Sequence, residues 1–304
     1  MNLAAKPFFL SRKTPVWILV LLTFACGPLR AGEPNSFFAM DTAARGKPAE
    51  VVALLKELGY TGLGGQVGDG AMATALENAG LKFYNGYTTV AFHAERPAPD
   101  DNLRGQIDRM KGHATTVWLA VSQVADPQRS FPRSSPDGDE IALARLREIA
   151  DYAEPRGVKV ALYPHAGSWL ERVEDGVRLA EKLNRTSVGT TFNLCHWLKV
   201  EGAERDPAPV LKAALPRLML ITINGADTGE TNKMGWDRLI QPLGSGSYDV
   251  AAFVRMVRQT GYQGPIGFQG FGIKAPPREI LTKTMAAWKE INQNAPRPNA
   301  KEDK

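Results

Sequence analysis

The sequence has little cysteine and little histidine, and its apolar runs are too short to cross a membrane. Cys26 lies near the N-terminus and Cys195 is the single cysteine in the body of the 304-residue chain, so intrachain disulfides cannot hold the fold together. The longest apolar run, residues 16–26, has eleven residues and is interrupted only by Thr23, whereas a membrane-spanning helix needs roughly 20. The apolar content of 43% is enough for a full core, which must supply the stability.

The first 31 residues have the features of a secretory signal peptide. Basic residues within positions 6–13 precede the apolar run, and small or turn-forming residues follow it. Cleavage is expected after Ala25 or Ala31, and the mature protein is expected in the periplasm or outside the cell. Two alternatives stay open, which are acylation of Cys26 as in a lipoprotein and a buried N-terminal helix.

The positive charge of the chain is concentrated in this N-terminal segment. Lys6, Arg12, Lys13 and Arg30 supply four positive charges of the formal net charge of +5, and no acidic residue precedes Glu33. The remaining chain is therefore close to neutral. This balance argues against nucleic acid as a partner, because nucleic-acid-binding domains carry a basic surface.

Short apolar runs typical of buried strands alternate with amphipathic, helix-like segments along the rest of the chain. The strand-like runs are 36–40, 60–63, 81–87, 116–121, 158–163, 188–193, 218–223 and 265–269. Helix-like segments include 47–58, 139–154, 169–183 and 249–260. Pro48 suits a first helical turn, and Asp139 and Asp249 are predicted N-caps.

This alternation predicts an α/β fold, a single (β/α)₈ TIM barrel over residues 32–292. Gly59, Gly80, Gly157 and Gly261 stand between a helix-like segment and the next strand, where a left-handed residue commonly ends a helix. A doubly wound open sheet is the rival, but no G-x-G-x-x-G sequence opens a helix-like segment. Residues 293–304 are polar and contain proline, which predicts a disordered tail.

Four segments carry a resemblance to a known family. They are 157–165 (GVKVALYPH), 188–196 (VGTTFNLCH), 241–249 (QPLGSGSYD) and 261–269 (GYQGPIGFQ). The chain resembles the xylose isomerase-like TIM barrel family, which includes sugar-phosphate isomerases and epimerases and the endonuclease IV branch. The resemblance implies a site at the carboxyl ends of the strands, where this family usually binds one divalent cation through two glutamates, an aspartate and a histidine.

The positions that match those four metal ligands hold no carboxylate or imidazole in this chain. They are Tyr163, Asn193, Asn224 and Gln269. A hard cation needs anionic oxygen ligands, and a tyrosine becomes an anion only near pH 10. Each amide side chain instead offers both hydrogen-bond donors and an acceptor, which suits sugar hydroxyls. The prediction is a degenerate metal site with no metal or other cofactor.

Histidines near the strand ends are the candidate acid–base groups. By the resemblance, His165 matches a family histidine two residues after the strand-five ligand position. His196 matches one three residues after the strand-six ligand position. We assign them, with Tyr163, to catalysis, because histidine titrates near neutral pH. Structural histidines, and a tyrosine that only plugs the former metal cavity, are the alternatives.

The remaining candidates are assigned to substrate binding. They are Asn193, Asn224, Gln269, His93 and Trp197. Trp169 and Trp236 are further aromatic residues that could stack on a sugar ring, although such residues more often belong to the core. Asn224 also suits a turn with no function, and His113 and Cys195 are expected to be structural.

The leading hypothesis is an exported sugar isomerase- or epimerase-like enzyme that abstracts a proton without a tightly bound metal. A non-catalytic carbohydrate-binding barrel is the first alternative. A metal retained by His165, His196 and some other carboxylate is the second, and an endonuclease is the weakest. The partner is expected to be a small carbohydrate, with no nucleic acid and no membrane span. The sugar and the oligomeric state stay open.

Overall fold

Eight parallel strands form a closed barrel in chain order, β1 to β8, as predicted. The computed structural model describes Met1 and residues 35–293. The strands are β1 Phe37–Met40, β2 Gly62–Gly65, β3 Lys82–His93, β4 Thr116–Ala125, β5 Lys159–Leu162, β6 Val188–Asn193, β7 Leu218–Ile223 and β8 Ile266–Phe268. Four of them, β1, β2, β6 and β8, are buried along their whole length, as expected of parallel strands covered by helices.

Helices surround the barrel and join successive strands. They are α1 Pro48–Leu58, α2 Ala71–Asn78, α3 Asp101–Met110, α4 Asp139–Ala153, α5 Val173–Leu183, α6 Leu194–Glu201, α7 Ala208–Ala214, α8 Trp236–Leu239, α9 Val250–Gln259 and α10 Pro277–Gln293. Pro48 opens α1 as predicted. The four glycines expected at helix ends all have left-handed φ values, between Gly157 at 71° and Gly261 at 90°.

One of the two predicted N-caps is wrong. Asp249 caps α9, because its carboxylate accepts a hydrogen bond from the Ala252 backbone N–H at 2.8 Å. Asp139 instead lies inside the first turn of α4, and Gly138 occupies the cap position. The buried Asp139 carboxylate pairs with Arg178 and Lys182 on α5, so it joins two helices rather than ending one.

Strands β3 and β4 extend beyond the barrel wall. The sequence predicted their ends at residues 87 and 121, but the two strands stay paired as far as His93 and Ala125. The other strands have three to six residues. The extension was missed because Thr88, Thr89 and Ser122 interrupt the apolar pattern.

Apolar side chains fill two layers. One layer lies between the barrel and the helices, and the other lies inside the barrel and includes Phe38, Tyr84, Trp118 and Tyr163. No helix within residues 35–293 is long and apolar enough to cross a membrane. The predicted signal peptide, 1–31, lies outside the described residues, apart from Met1. The predicted tail, 293–304, also lies outside them, apart from Gln293, which ends α10.

Candidate functional site

A cavity of about 370 Å³ lies at the carboxyl ends of the strands. Its walls combine aromatic and apolar side chains with a few polar groups. The lining residues are Met40, Asp41, Thr42, Gln66, Tyr87, Trp118, Tyr163, His165, His196, Trp236, Ile240, Gln269 and Phe271. Carboxyl ends of barrel strands are where TIM barrels bind their ligands, so this cavity is the candidate functional site.

The segment after β5 and the start of α6 bring two imidazole rings together. The ring centroids of His165 and His196 are 4.1 Å apart. His165 is held by a turn in which its backbone N–H donates to the Leu170 carbonyl at 3.0 Å. The same turn is bonded to the extended part of β4, because the N–H groups of Trp169 and Leu170 donate to the carbonyls of Ser122 and Val121.

Hydrogen bonds to the backbone determine which ring nitrogen of each histidine carries its proton. Nδ1 of His165 lies 3.0 Å from the Ala166 carbonyl. A carbonyl can only accept, so Nδ1 is protonated and Nε2 of the neutral ring has a free lone pair. In His196 the pattern is reversed. The Ala166 N–H donates to Nδ1 at 3.4 Å, so Nε2 carries the proton and donates it to the Tyr163 hydroxyl oxygen, 2.9 Å from Nε2.

Burial keeps both histidines neutral at pH 7. It lowers the pKa of His165, an effect opposed in part by the hydrogen bond to Ala166. It lowers the pKa of His196 further, and the charge that His165 would carry when protonated adds to the decrease. A neutral imidazole with a free lone pair can accept a proton, so His165 has the form that a general base requires.

Tyr163 lines the cavity and remains a neutral phenol. Its ring stacks on Trp118 at a centroid distance of 4.4 Å. Burial, followed by Cys195 and Tyr87, raises the pKa of Tyr163 well above its usual value, while a hydrogen bond from Gln269 opposes the rise. Because His196 donates to the phenol oxygen, the Tyr163 O–H is left to donate to another group.

Gln269 follows β8 and presents its amide to the same space. Its Oε1 accepts hydrogen bonds from the Thr42 hydroxyl at 2.7 Å and from the Phe271 backbone N–H at 3.2 Å. The amide oxygen is thereby occupied. Of the two N–H donors of the NH₂ group, one remains free beside the hydrogen bond to Tyr163. Of the four positions matched to the family's metal ligands, Tyr163 and Gln269 are the two that line the cavity.

The other two matched positions lie outside the cavity lining. Asn193 is 2% exposed and forms hydrogen bonds with the hydroxyls of Thr191 and Thr222. Asn224 is fully buried, and its NH₂ donates to the carbonyls of Gly225 and Leu239. Both amides are used mainly to connect neighbouring segments of the chain, which is the internal network that the sequence left open as an alternative.

Two further sequence candidates also lie away from the cavity. Trp197 is buried in the core beside Phe192 and under the Arg205 guanidinium. His93 ends the extended β3, beyond the barrel mouth. Trp169 is buried, whereas Trp236 lines the cavity and packs edge-on against His196 at 5.3 Å.

Sequence analysis missed Asp41, which contributes a carboxylate to the cavity. Asp41 directly follows β1, so its place at a strand end was the available signal. Its Oδ2 accepts the Gln66 backbone N–H at 2.7 Å. Gly65 leaves room for it, since a Cβ at that position would stand 2.1 Å from the Asp41 carboxylate carbon. Burial raises the pKa of Asp41, and the hydrogen bonds from Gln66 and Thr42 oppose that rise.

A family model for the xylose isomerase-like TIM barrel matches residues 52–291. The chain belongs to this family. Over 178 residues, 57% of the chain, it is 24% identical to a 3-dehydroshikimate dehydratase of Pseudomonas aeruginosa, of which it covers 26%. It is 23% identical to an L-ribulose 3-epimerase of Methylomonas sp. strain DH-1 over 178 residues, which are 58% of the chain and 54% of that protein. The chain thus spans between a quarter and about half of the length of these relatives.

Solved structures share the fold at low sequence identity. The crystal structure of IolI with a bound zinc atom has a TM-score of 0.68 and 14% identity, and the match covers 86% of this chain and 99% of that one. D-allulose 3-epimerase from Methylomonas sp. in complex with D-allulose has a TM-score of 0.64 and 17% identity, and the match covers 85% and 98%. These likenesses establish the fold alone.

The residues present do not fit the divalent metal that the family implies. Tyr163 would have to ionise against its raised pKa. The Asn193 oxygen already accepts a hydrogen bond from Thr222, and Asn224 and Gln269 offer only neutral amides. Within residues 35–293, no three histidine, cysteine, aspartate or glutamate side chains are placed to share a metal ion. The donor set is one for hydrogen bonding rather than for a hard cation.

Proposed function

We propose that this protein is a sugar isomerase- or epimerase-like enzyme that removes a proton next to the carbonyl group of an uncharged carbohydrate, without a tightly bound metal. The observation that carries the proposal is the His165–His196 pair. One ring presents an unprotonated Nε2 at the cavity, and the other is tied to the Tyr163 hydroxyl. An acid–base group of this kind contributes roughly 10²–10⁴-fold to a reaction rate.

His165 is the base in this proposal. Its Nε2 takes the proton from the carbon, and the electron pair moves to the neighbouring carbonyl oxygen to give an enolate. The lowered pKa of His165 keeps the ring unprotonated at pH 7. Loss of solvation also makes it a weaker base, so the enolate must be stabilised by other groups in the cavity.

Several neutral donors are available for that oxygen. The first is the Tyr163 O–H, because His196 already donates to the phenol oxygen. The second is the Gln269 NH₂ group, because the amide oxygen is already occupied. The indole N–H of Trp118 is a third. This nitrogen is buried and has no hydrogen-bond partner within the described part of the chain. A buried donor without a partner costs roughly 1–3 kcal/mol, and a ligand oxygen would remove that cost.

The cavity lining favours an uncharged ligand. It contains no lysine or arginine among the described residues, and Asp41 is its one carboxylate. Tyr87, Trp118, Trp236 and Phe271 supply aromatic surface suited to the C–H faces of a sugar ring. The epimerases among the relatives support a carbohydrate over the 3-dehydroshikimate in the name of the dehydratases. 3-Dehydroshikimate is a carboxylate, and the lining offers no lysine or arginine to balance an anionic ligand.

A non-catalytic carbohydrate-binding barrel is the second candidate. The observation in its favour is that burial, which lowers the pKa of both histidines, also weakens them as bases. Solvent exchange separates the two candidates. The purified protein would be incubated in D₂O with uncharged ketoses, beginning with D-allulose, and followed by proton NMR. Loss of the signal of a proton next to the carbonyl supports the enzyme, and binding without exchange supports the second candidate.

Export remains part of the proposal. Its support is the order of basic, apolar and small residues in the first 31 positions. The test is N-terminal sequencing of the protein from its native host after fractionation. A mature start between Cys26 and Glu33 in the exported fraction is expected. Cytoplasmic protein that still begins at Met1 would contradict export.

A further inference from the structure

The cavity has two walls that carry different proton-transfer groups. In a closed barrel of eight strands, β1 and β5 are four strands apart in either direction, so they lie on opposite sides. Asp41 follows β1, and His165 follows β5 by two residues. Both side chains line the same cavity. An open-chain sugar between them would have one group on each face of the carbon next to its carbonyl.

The fold leaves space for the Asp41 carboxylate beside Gly65. The missing side chain of Gly65 provides the space, because a Cβ there would lie 2.1 to 2.5 Å from the carboxylate atoms. The Gln66 backbone N–H fixes Oδ2 at 2.7 Å. The neighbouring Thr42 hydroxyl is directed to Gln269 and not to Asp41. No lysine or arginine forms a salt bridge with Asp41 among the described residues, so the carboxyl group is not held as an ion pair.

We propose that Asp41 is the second catalytic residue, which exchanges a proton with the face of the substrate carbon opposite to His165, so that the reaction inverts that carbon. This inference rests on the proposed function. His165 Nε2 takes the proton as the C–H bond breaks, and the electron pair moves to the carbonyl oxygen. The enolate then takes the Asp41 O–H proton on its other face, and a new C–H bond forms. The products are the inverted sugar, the Asp41 carboxylate and the His165 imidazolium, which return to their starting forms by exchange with water.

The surroundings of Asp41 support this role. A carboxyl group that donates a proton must hold one in the resting enzyme. Burial disfavours the carboxylate, which raises the pKa of Asp41 in the required direction. The reverse reaction uses the same two groups in opposite roles, with Asp41 as the base and the His165 imidazolium as the acid.

Single-face exchange tests the inference. Wild-type protein, Asp41→Asn and His165→Ala would each be incubated in D₂O with D-allulose and, separately, with its C3 epimer. In Asp41→Asn, inversion is expected to fall by roughly 10²-fold or more, while the epimer whose C–H faces His165 still exchanges its proton for deuterium with its configuration retained. His165→Ala is expected to show the mirror result, with exchange in the other epimer only.

Asp69→Asn is the matched control, because Asp69 is exposed in the loop after β2 and outside the cavity lining. It should invert the sugar as the wild type does. Inversion at the wild-type rate in Asp41→Asn would overturn the inference, and so would loss of exchange from both epimers in that variant. If wild-type protein exchanges neither sugar, the proposed function fails and this inference fails with it. If wild-type protein exchanges but Asp41→Asn behaves as the wild type, the inference alone fails.

Discussion

Two histidines and two asparagines near the ends of β5, β6 and β7 differ in how their polar atoms are used. His165 and His196 line the cavity, and His165 keeps one ring nitrogen free. Asn193 and Asn224 bond to neighbouring hydroxyl and carbonyl groups instead. Asn193 has both of its amide groups paired inside the chain. Asn224 keeps an unpaired Oδ1 among the described residues but is fully buried outside the cavity lining. A polar residue at a strand end therefore serves a ligand only when its side chain faces the cavity and the surrounding chain leaves a donor or acceptor free. The predictions below test this contrast.

The largest effect is expected from His165→Ala. If His165 is the base, kcat should fall roughly 10²–10⁴-fold, while the free energy of unfolding changes little because the ring is only partly buried. Steady-state kinetics on a sugar found by the exchange assay, together with urea unfolding, would measure both. His113→Ala is the control, since His113 pairs with Glu77 away from the cavity. Equal kcat in the two variants would remove His165 from the mechanism.

The opposite pattern is expected from Asn193→Ala. This change leaves the buried Thr222 hydroxyl without the acceptor it now has, so unfolding should become easier by roughly 1–3 kcal/mol, with the Kd for the sugar unchanged. Denaturant unfolding and calorimetric titration would measure these values. Asn78→Ala, on the exposed end of α2, should stay within about 0.5 kcal/mol of the wild type. A large rise in Kd with normal stability would return Asn193 to the binding site.

The lowered pKa values of His165 and His196 predict a pH-dependent stability. Their pKa values are lowered in the folded protein, whereas in the unfolded chain they titrate near 6.5. The unfolded chain therefore binds more protons below about pH 6.5, so stability is fully present above that pH and is lost as the pH falls. Urea unfolding of the wild type and His196→Asn at several pH values between 5 and 8 would measure it. The variant should lose less stability on acidification, and parallel profiles would contradict the assignment.

The smallest effect is expected from added metal. A ligand that binds only the folded state at a hundredfold excess over its Kd stabilises by about 2.7 kcal/mol. Because the donor set does not fit a hard cation, millimolar Mn²⁺, Mg²⁺ or Zn²⁺ should not raise Tm. Gln269→Glu together with Asn193→Asp restores two carboxylates and is the comparison in which some rise is expected. A Tm increase of several degrees in the wild type, reversed by a chelator, would contradict the proposal.

Sequence periodicity was enough to predict the barrel, because strand, helix and glycine patterns repeat with the spacing of β/α units. The same pattern predicted that one end of the barrel holds Tyr163, His165, His196 and Gln269. It could not determine whether a strand-end side chain faces the cavity, since that depends on partners distant in sequence, such as Thr222 for Asn193. The sequence did not single out Asp41 as a site residue, because an aspartate followed by threonine after a strand is also an ordinary turn sequence.

The extended part of β4 has a consequence for ligand affinity. Its carbonyls at Val121 and Ser122 accept the N–H groups of Leu170 and Trp169, and the Leu170 carbonyl in turn accepts the N–H of His165. The segment that carries His165 is therefore ordered before any ligand arrives. Ordering a loop during binding would cost conformational entropy, and that cost is subtracted from affinity. In this barrel folding has already ordered the segment. A ligand therefore needs fewer contacts to reach the same affinity with His165 in a reactive orientation.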